Sequence, residues 1–136
     1  MKTILSLGVA LAFSSTCLAD GPADNLAEKV RRVPPEGVAI PEAARAELTA
    51  GADALAKDIE ALRGSLKSKP ALLDLLPDVQ IYHKAVDWAL RHDEFYSTNE
   101  VAVARDLLKR GGERAAALRA GQAPWLAQTG LVVRAY

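Results

Sequence analysis

The stretch EAARAELTAGADALAKDIEALRGSL, residues 42–66, decides the fold of this chain. Its apolar positions recur at steps of three and four residues, a spacing that places them on one side of an α-helix. Such a stripe has to be covered by other apolar surface, so the segment predicts a long amphipathic helix that packs through one face. The stripe consists of Ala44, Leu48, Ala52, Leu55, Ile59, Leu62 and Leu66.

A second helix is predicted from about Pro77, in PDVQIYHKAVDWALRHDEFY. Proline fits the first turn of a helix, where its missing N–H costs nothing. Apolar residues cover more than half of the circumference, which predicts a helix buried between neighbours. They are Val79, Ile81, Tyr82, Ala85, Val86, Trp88, Ala89 and Leu90.

A third helix is predicted after Ser97 or Thr98, either of which is a suitable N-cap. Gly111 and Gly112 fall in its middle, where each glycine costs about 1 kcal/mol relative to alanine. They therefore indicate either a kink or a close approach of another helix, and we favour the close approach. The apolar seam of this helix is Val101, Ala104, Leu108, Gly111, Ala115 and Leu118.

Composition supports an all-α fold, because 45 of the 136 residues are Ala or Leu and only 5% are aromatic. These are the two best helix formers, and an all-β fold is excluded. Lys and Arg together number 17, as do Asp and Glu. This balance lacks the basic surface that nucleic acid or an anionic membrane would attract, so neither is an expected partner.

The first 19 residues have the pattern of a secretory signal peptide. Lys2 precedes an apolar run over residues 4–13, and Ala19 provides a small residue before Asp20. The run is too short to span a bilayer, so we expect a secreted or periplasmic protein with no membrane contact after cleavage. Acylation of Cys17 is a less favoured alternative. Cleavage after Ala19 removes the only cysteine, which excludes disulfides and cysteine-based zinc sites.

The remaining chain divides into three parts. Residues 20–41 form an extended arm rich in Pro and Gly, residues 42–121 the helical domain, and residues 122–136 a loop and a strand-like tail. The tail, GLVVRAY, would expose Leu131, Val132, Val133 and Tyr136 if no sheet received it. It therefore predicts a missing following domain or a partner, and deletion of residues 130–136 is expected to make the protein more monomeric. The predicted architecture is a small bundle of about three helices.

Few residues offer catalytic chemistry. His83 and Asp87 are four residues apart, close enough on a helix to pair or share a metal, but His92 lies on the opposite side of that helix. A metal would lack its third and fourth ligands, so we favour a structural His83, hydrogen-bonded at a packing face. No G-x-S-x-G, phosphate-binding loop or HExxH motif occurs. The sequence thus predicts no catalytic residue, no metal and no cofactor.

Aromatic and tail residues are the remaining candidates for function. Core packing is the favoured role for the rings, which fill volume in an alanine-rich bundle. The alternative is a surface that docks on another domain. The candidate domain-docking residues are Trp88, Trp125, Leu131, Val133 and Tyr136.

Three segments together carry a resemblance to a known family. They are VPPEGVAIPEAARAEL (33–48), LPDVQIYHKAVDWALRHDEFY (76–96) and RDLLKRGGERAAALRAGQAPWLAQTGLVVRAY (105–136). Their succession resembles the N-terminal region of secreted bacterial serine hydrolases of the prolyl oligopeptidase-like, α/β-hydrolase class. The resemblance implies a helical segment ahead of a catalytic domain that carries Ser, Asp and His. None of those catalytic residues has a matching position here.

Two functions follow as hypotheses. In the first, the chain is the non-catalytic helical front of an exported serine hydrolase and packs on, or shapes access to, a catalytic domain in cis. In the second, it is a self-contained small periplasmic helical module that binds a protein or a small ligand. An in-frame continuation of the coding DNA with G-x-S-x-G would distinguish the first from the second.

Overall fold

The computed structural model describes residues 35–135, and within that range the chain is helical and contains no β-strand. Helix α1 spans Glu42–Ser65, α2 spans Pro70–Leu73, α3 spans Pro77–Arg91 and α4 spans Glu100–Arg119. A 3-10 helix follows at Pro124–Leu126. Each of the long helices α1, α3 and α4 packs on the other two. The predicted all-α bundle of three helices is confirmed.

Some predictions fall outside the described residues. The signal peptide at residues 1–19, most of the arm at residues 20–41 and Tyr136 belong to this group. The last part of the arm, from residue 35 to Pro41, is non-helical. Its Val38 N–H donates a hydrogen bond to the carbonyl of Phe95, and Ile40 is buried. This part of the arm is therefore packed against the helical domain.

Helix α1 provides one side of the whole core. All seven residues of its predicted stripe are buried, including Leu66 just beyond its last turn. Its first two turns contribute Ala44 and Leu48 to a cluster that also contains Ile40, Val86, Phe95, Val101 and Ala104. Its last three turns contribute to a larger cluster, which comprises Leu55, Ile59, Leu62, Leu66, Leu76, Val79, Tyr82, Ala115, Leu118 and Trp125.

Helix α4 runs without interruption through both central glycines. A Cβ atom on Gly111 would lie 2.6 Å from Leu55 Cδ2 and 3.0 Å from Tyr82 Cβ, whereas one on Gly112 would meet nothing within 4 Å. The close approach predicted for this pair is thus made by Gly111, which lets α1 and α3 come near the α4 backbone. The predicted seam of α4 is buried except for Leu108, which is half-buried.

Helix α3 differs from its prediction, because it is not enclosed on all sides. Its buried residues are Asp78, Val79, Tyr82 and Val86, which lie on the side that faces α1 and α4. Ala85 and Trp88 are exposed. One apolar face of α3 therefore stays open, since residues 35–135 provide only two other long helices to cover it.

The C-terminal tail is extended and forms no strand up to residue 135. Val132 and Val133 are half-buried against the larger core cluster, whereas Leu131 is fully exposed. The expectation that both valines would be exposed is wrong. The tail folds back on its own domain because a buried carboxylate on α3 binds it.

Candidate functional site

The buried carboxylate belongs to Asp78, in the first turn of α3. Its Oδ1 accepts a hydrogen bond from the backbone N–H of Ala135 at 2.8 Å, and its Oδ2 accepts one from Trp125 Nε1 at 2.9 Å. Arg134 Nε lies 2.8 Å from the same Oδ2. The helix dipole also favours a negative charge at this position. Asp78 thus holds both the 3-10 helix and the tail against the bundle.

Arg114 is the other buried charged residue, 9% exposed, on the side of α4 that faces α3. Its NH1 donates a hydrogen bond to the backbone oxygen of Asp78 at 3.0 Å. Its guanidinium carbon lies 5.0 Å from the centre of the Tyr82 ring and 4.8 Å from that of the Trp125 ring. Both distances are in the range of cation–π attraction, which is stronger where water is excluded.

A cavity of about 190 Å³ lies beside this arrangement. Residues of α3, α4 and the 3-10 helix line it, among them Tyr82, Arg110, Arg114 and Trp125. Tyr82 is 2% exposed, and its buried hydroxyl has no hydrogen-bond partner among the described residues. Buried hydroxyl groups are normally hydrogen-bonded, so this one needs an explanation.

The open face of α3 forms a second candidate surface, which we call the Trp88 face. It is defined by Ile81, Ala85, Trp88, Ala89 and Tyr96, with Val103 of α4 beside it. Trp88 is 51% exposed, Tyr96 40% and Val103 55%. A groove of about 510 Å³ runs between the two aromatic side chains.

Charged groups stand around the Trp88 face. Lys84 Nζ lies 4.5 Å from the centre of the Trp88 ring. Glu100 accepts a hydrogen bond from the Tyr96 N–H at 2.7 Å. Partial burial, together with the negative charges of Glu94 and Glu100, raises the pKa of the Tyr96 hydroxyl. The face has an apolar centre and a polar margin.

The candidate docking residues do not come together in one place. Trp88 lies on the open face of α3, while Trp125 is buried beside Asp78 and belongs to the core. Val133 is half-buried against the same core cluster, and Leu131 is fully exposed on the tail. Tyr136 is outside the described residues. Of the four that the structure describes, Trp88 and Leu131 have the exposure that contact with another domain requires.

His83 and Asp87 are not paired with each other. Asp87 forms an ion pair with Arg91 at 2.8 Å. His83 is half-buried near Ile59 and Glu60 and makes no side-chain hydrogen bond within residues 35–135, so the hydrogen bond predicted for it is wrong. His92 lies beyond the end of α3, with its ring 5.8 Å from that of Trp88. No group of three or more His, Cys, Asp or Glu residues in this range could hold a metal ion.

Sequence reasoning missed Asp78 and Arg114 as members of a site. A signal for Arg114 was present, because it lies three residues after Gly111 and four before Leu118, on the buried side of α4. A charged residue in such a stripe indicates a buried interaction. Asp78 gave a weaker signal, since an acidic residue in a first turn is ordinary there. Its partners are 47 and 57 residues further along the chain.

Comparison with known proteins adds no relative. No family model matches the chain, and no curated protein or solved structure is significantly similar to it. Within residues 35–135, none of the helices is both long and apolar enough to cross a bilayer.

Proposed function

We propose that this chain is the non-catalytic helical front of an exported serine hydrolase, and that it packs on the catalytic domain through the Trp88 face. The family in question is the prolyl oligopeptidase-like class that the sequence resembles, and export rests on the signal pattern of residues 1–19. The observation that carries the proposal is an open apolar face on a helix whose other side is fully packed.

The chemistry of the Trp88 face suits a permanent contact within one protein. Trp and Tyr supply large contact areas and fix few rotatable bonds, and contacts of this kind contribute most of the binding energy at many interfaces. Exposed aromatic and aliphatic groups at the centre, with Lys84 and Glu94 at the margin, match the apolar core and polar rim of such interfaces. Contiguous apolar patches on soluble domains commonly mark contacts with another protein surface.

The proposed role is to cover one side of the catalytic domain and so shape the path of substrate to it. Nucleophile, base and oxyanion hole would all belong to that domain. The helical domain would supply a rigid surface, because α1, α3 and α4 are fixed to one another by a shared core.

The test begins with the coding DNA beyond codon 136, followed by expression of the whole reading frame. Oxidative footprinting of the whole protein and of the 136-residue chain would then compare the reactivity of the two tryptophans. We expect Trp88 to be oxidised in the short chain and protected in the whole protein. Trp125, buried in the helical domain itself, is the internal control and should be protected in both.

A substitution tests the same contact. Trp88→Ser should lower the melting temperature of the whole hydrolase more than that of the short chain. Leu126→Ser is the matched control. The exposed fraction of Leu126, 52%, is nearly equal to that of Trp88, but Leu126 does not belong to the Trp88 face. A stop codon directly after codon 136, or equal oxidation of Trp88 in both proteins, would contradict the proposal and favour the self-contained binding module.

A further inference from the structure

The cavity beside Tyr82 is separate from the Trp88 face and has its own chemistry. Tyr82 lies on the side of α3 that faces the core, whereas Trp88 is on the exposed side. The cavity opens between α4 and the 3-10 helix, with Arg110 and Gln128 among its lining residues. Its apolar walls come from Ala117, Pro124 and Trp125.

An unpaired hydroxyl is the first observation that points to a ligand here. The Tyr82 hydroxyl is buried and has neither donor nor acceptor within residues 35–135, although Tyr82 lines the cavity. A buried polar group without a partner destabilises the folded state, while phenylalanine at the same place would avoid that cost. The hydroxyl oxygen has almost no accessible surface, so a ligand atom that accepts its proton has to displace part of the cavity wall to satisfy the group.

A buried guanidinium without an ion-pair partner is the second observation. Arg114 is buried, yet no carboxylate of the described residues lies within ion-pair distance of it, since Asp78 offers it only a backbone oxygen. Its other N–H groups are available to an acceptor, because a guanidinium carries five donors. Arg110 adds a second guanidinium to the same lining, 5.6 Å from the Tyr82 ring and loosely paired with Asp106 at 3.6 Å.

We propose that this cavity binds a small organic carboxylate, with its oxygens on the Arg114 guanidinium and the Tyr82 hydroxyl and its apolar part against Pro124 and Trp125. A planar guanidinium matches the two oxygens of a carboxylate. The tyrosine hydroxyl donates the third hydrogen bond, and Arg110 at the mouth adds attraction. Glu113, also in the lining, is paired with Lys109 at 3.4 Å and disfavours multiply charged anions by repulsion.

Binding is measured on the full chain by isothermal titration calorimetry with acetate, butyrate and benzoate at constant ionic strength. Benzamide, which has the shape of benzoate without its charge, and inorganic phosphate are the comparison ligands. We expect benzoate to bind more tightly than benzamide and phosphate, and to raise the melting temperature with concentration, as mass action requires.

Tyr82→Phe is the decisive variant, because it removes only the unpaired hydroxyl. We expect benzoate affinity to fall by about tenfold or more, which is the loss of a hydrogen bond to a charged acceptor. The melting temperature of the free protein should stay the same or rise. Arg110→Gln should weaken benzoate binding as well without risk to the core, and Arg91→Gln, an exposed arginine elsewhere on α3, should change nothing.

Three results would overturn the proposal. The first is absence of binding by all three carboxylates at millimolar concentration. The second is equal affinity for benzoate and benzamide, since the charge would then be irrelevant. The third is benzoate affinity that is unchanged in both single variants, Tyr82→Phe and Arg110→Gln, which would place the carboxylate elsewhere. None of these results depends on whether the Trp88 face contacts a catalytic domain.

Discussion

Gly111 and Gly112 are neighbours on α4, yet they face different surroundings. A side chain on Gly111 would press on Leu55 and on the Cβ of Tyr82, while the space around Gly112 is open. Glycine in a helix costs stability because of its freedom in the unfolded chain. Its presence at Gly111 is explained by packing, and nothing in the structure explains it at Gly112.

Alanine substitutions at Gly111 and Gly112 should therefore have opposite effects on the stability of the protein. Gly112→Ala should stabilise the protein by about 1 kcal/mol, the helix-propensity difference. Gly111→Ala should destabilise it by about 1–2 kcal/mol, because overpacking outweighs the same propensity gain. Urea denaturation of both variants measures the difference. Stabilisation by both would show that α1 and α3 do not approach the α4 backbone as closely as described.

Asp78 is 1% exposed, yet its side chain binds three other groups. Its two oxygens bind the Trp125 indole, the Ala135 N–H and the Arg134 guanidinium. Replacing Asp78 with asparagine keeps the size of the side chain but removes the charge. One acceptor oxygen also becomes an NH2 group, which would face an N–H donor instead of accepting a hydrogen bond from it.

We expect Asp78→Asn to lower the free energy of unfolding by about 3 kcal/mol, as breaking a buried ion pair does. Asp53→Asn, on the exposed side of α1, is the matched control and should stay within about 0.5 kcal/mol of the wild type. Chemical denaturation measures both. A loss no larger than that of the control would mean that the carboxylate is solvated rather than bound.

At the scale of elements, an ion pair joins the outer sides of α1 and α4. Glu47 accepts hydrogen bonds from Arg105 Nε at 2.8 Å and from its NH2 at 2.6 Å. The hydrogen bond from Arg105, and then its positive charge, hold the pKa of the Glu47 carboxyl below its usual range. The same contact raises the pKa of Arg105.

This pair predicts a dependence of stability on pH. Because the pKa of Glu47 is lower in the folded than in the unfolded chain, the unfolded chain takes up its proton first as the pH falls. The advantage of wild type over Glu47→Gln should therefore be fully present at pH 7 and disappear as the pH falls through about 4 and below. Thermal melts of both proteins from pH 7 to pH 3 give this difference. A difference in melting temperature between the two proteins that stays constant from pH 7 to pH 3 would contradict the prediction.

How well each element could be predicted depended on how far apart in the sequence its contacting residues lie. The stripe of α1 was predicted residue by residue, since regular steps of three and four leave one possible buried face. The open face of α3 was not, because an apolar helix does not reveal how many neighbours are available to cover it. Of the Trp88 face, only Trp88 was predicted as a docking residue, and Tyr96 lies outside the helix that carries Trp88.

The Asp78 site shows the same limit more strongly. Short-range spacing identifies residues on one helix face, but Asp78 binds groups that are 47 and 57 residues away. The tail was therefore predicted to contact another domain, and so was Trp125 in the alternative to core packing, whereas both complete this domain. Only the buried position of Arg114 in the α4 seam could have indicated that α3 and α4 share polar contacts.

At the scale of the whole molecule, the tail belongs to the helical domain. Val132 and Val133 pack on the core, and Arg134 and Ala135 bind Asp78. This reverses the expectation that removal of the tail makes the protein more monomeric. Removal would instead uncover apolar side chains and leave the Asp78 carboxylate with Trp125 as its remaining side-chain donor.

Deletion of residues 130–136 should therefore destabilise the chain by at least about 2 kcal/mol and increase its association. Leu131→Ser, which changes a fully exposed residue of the same segment, should leave both properties unchanged. Denaturation and light scattering of the two variants provide the comparison. A truncated chain that is as stable as the wild type and more monomeric would show that the tail does not dock.

The bond between Asp78 and the tail also sets an order of events during synthesis. All three long helices leave the ribosome before residue 134 does, so the bundle can begin to assemble while the Asp78 carboxylate still lacks Arg134. The contact also joins residues 57 apart in the sequence, so we expect docking of the tail to follow the transition state of folding. Substitutions at Arg134 should accordingly speed unfolding and leave the folding rate nearly unchanged, so that the tail acts on the lifetime of the folded domain.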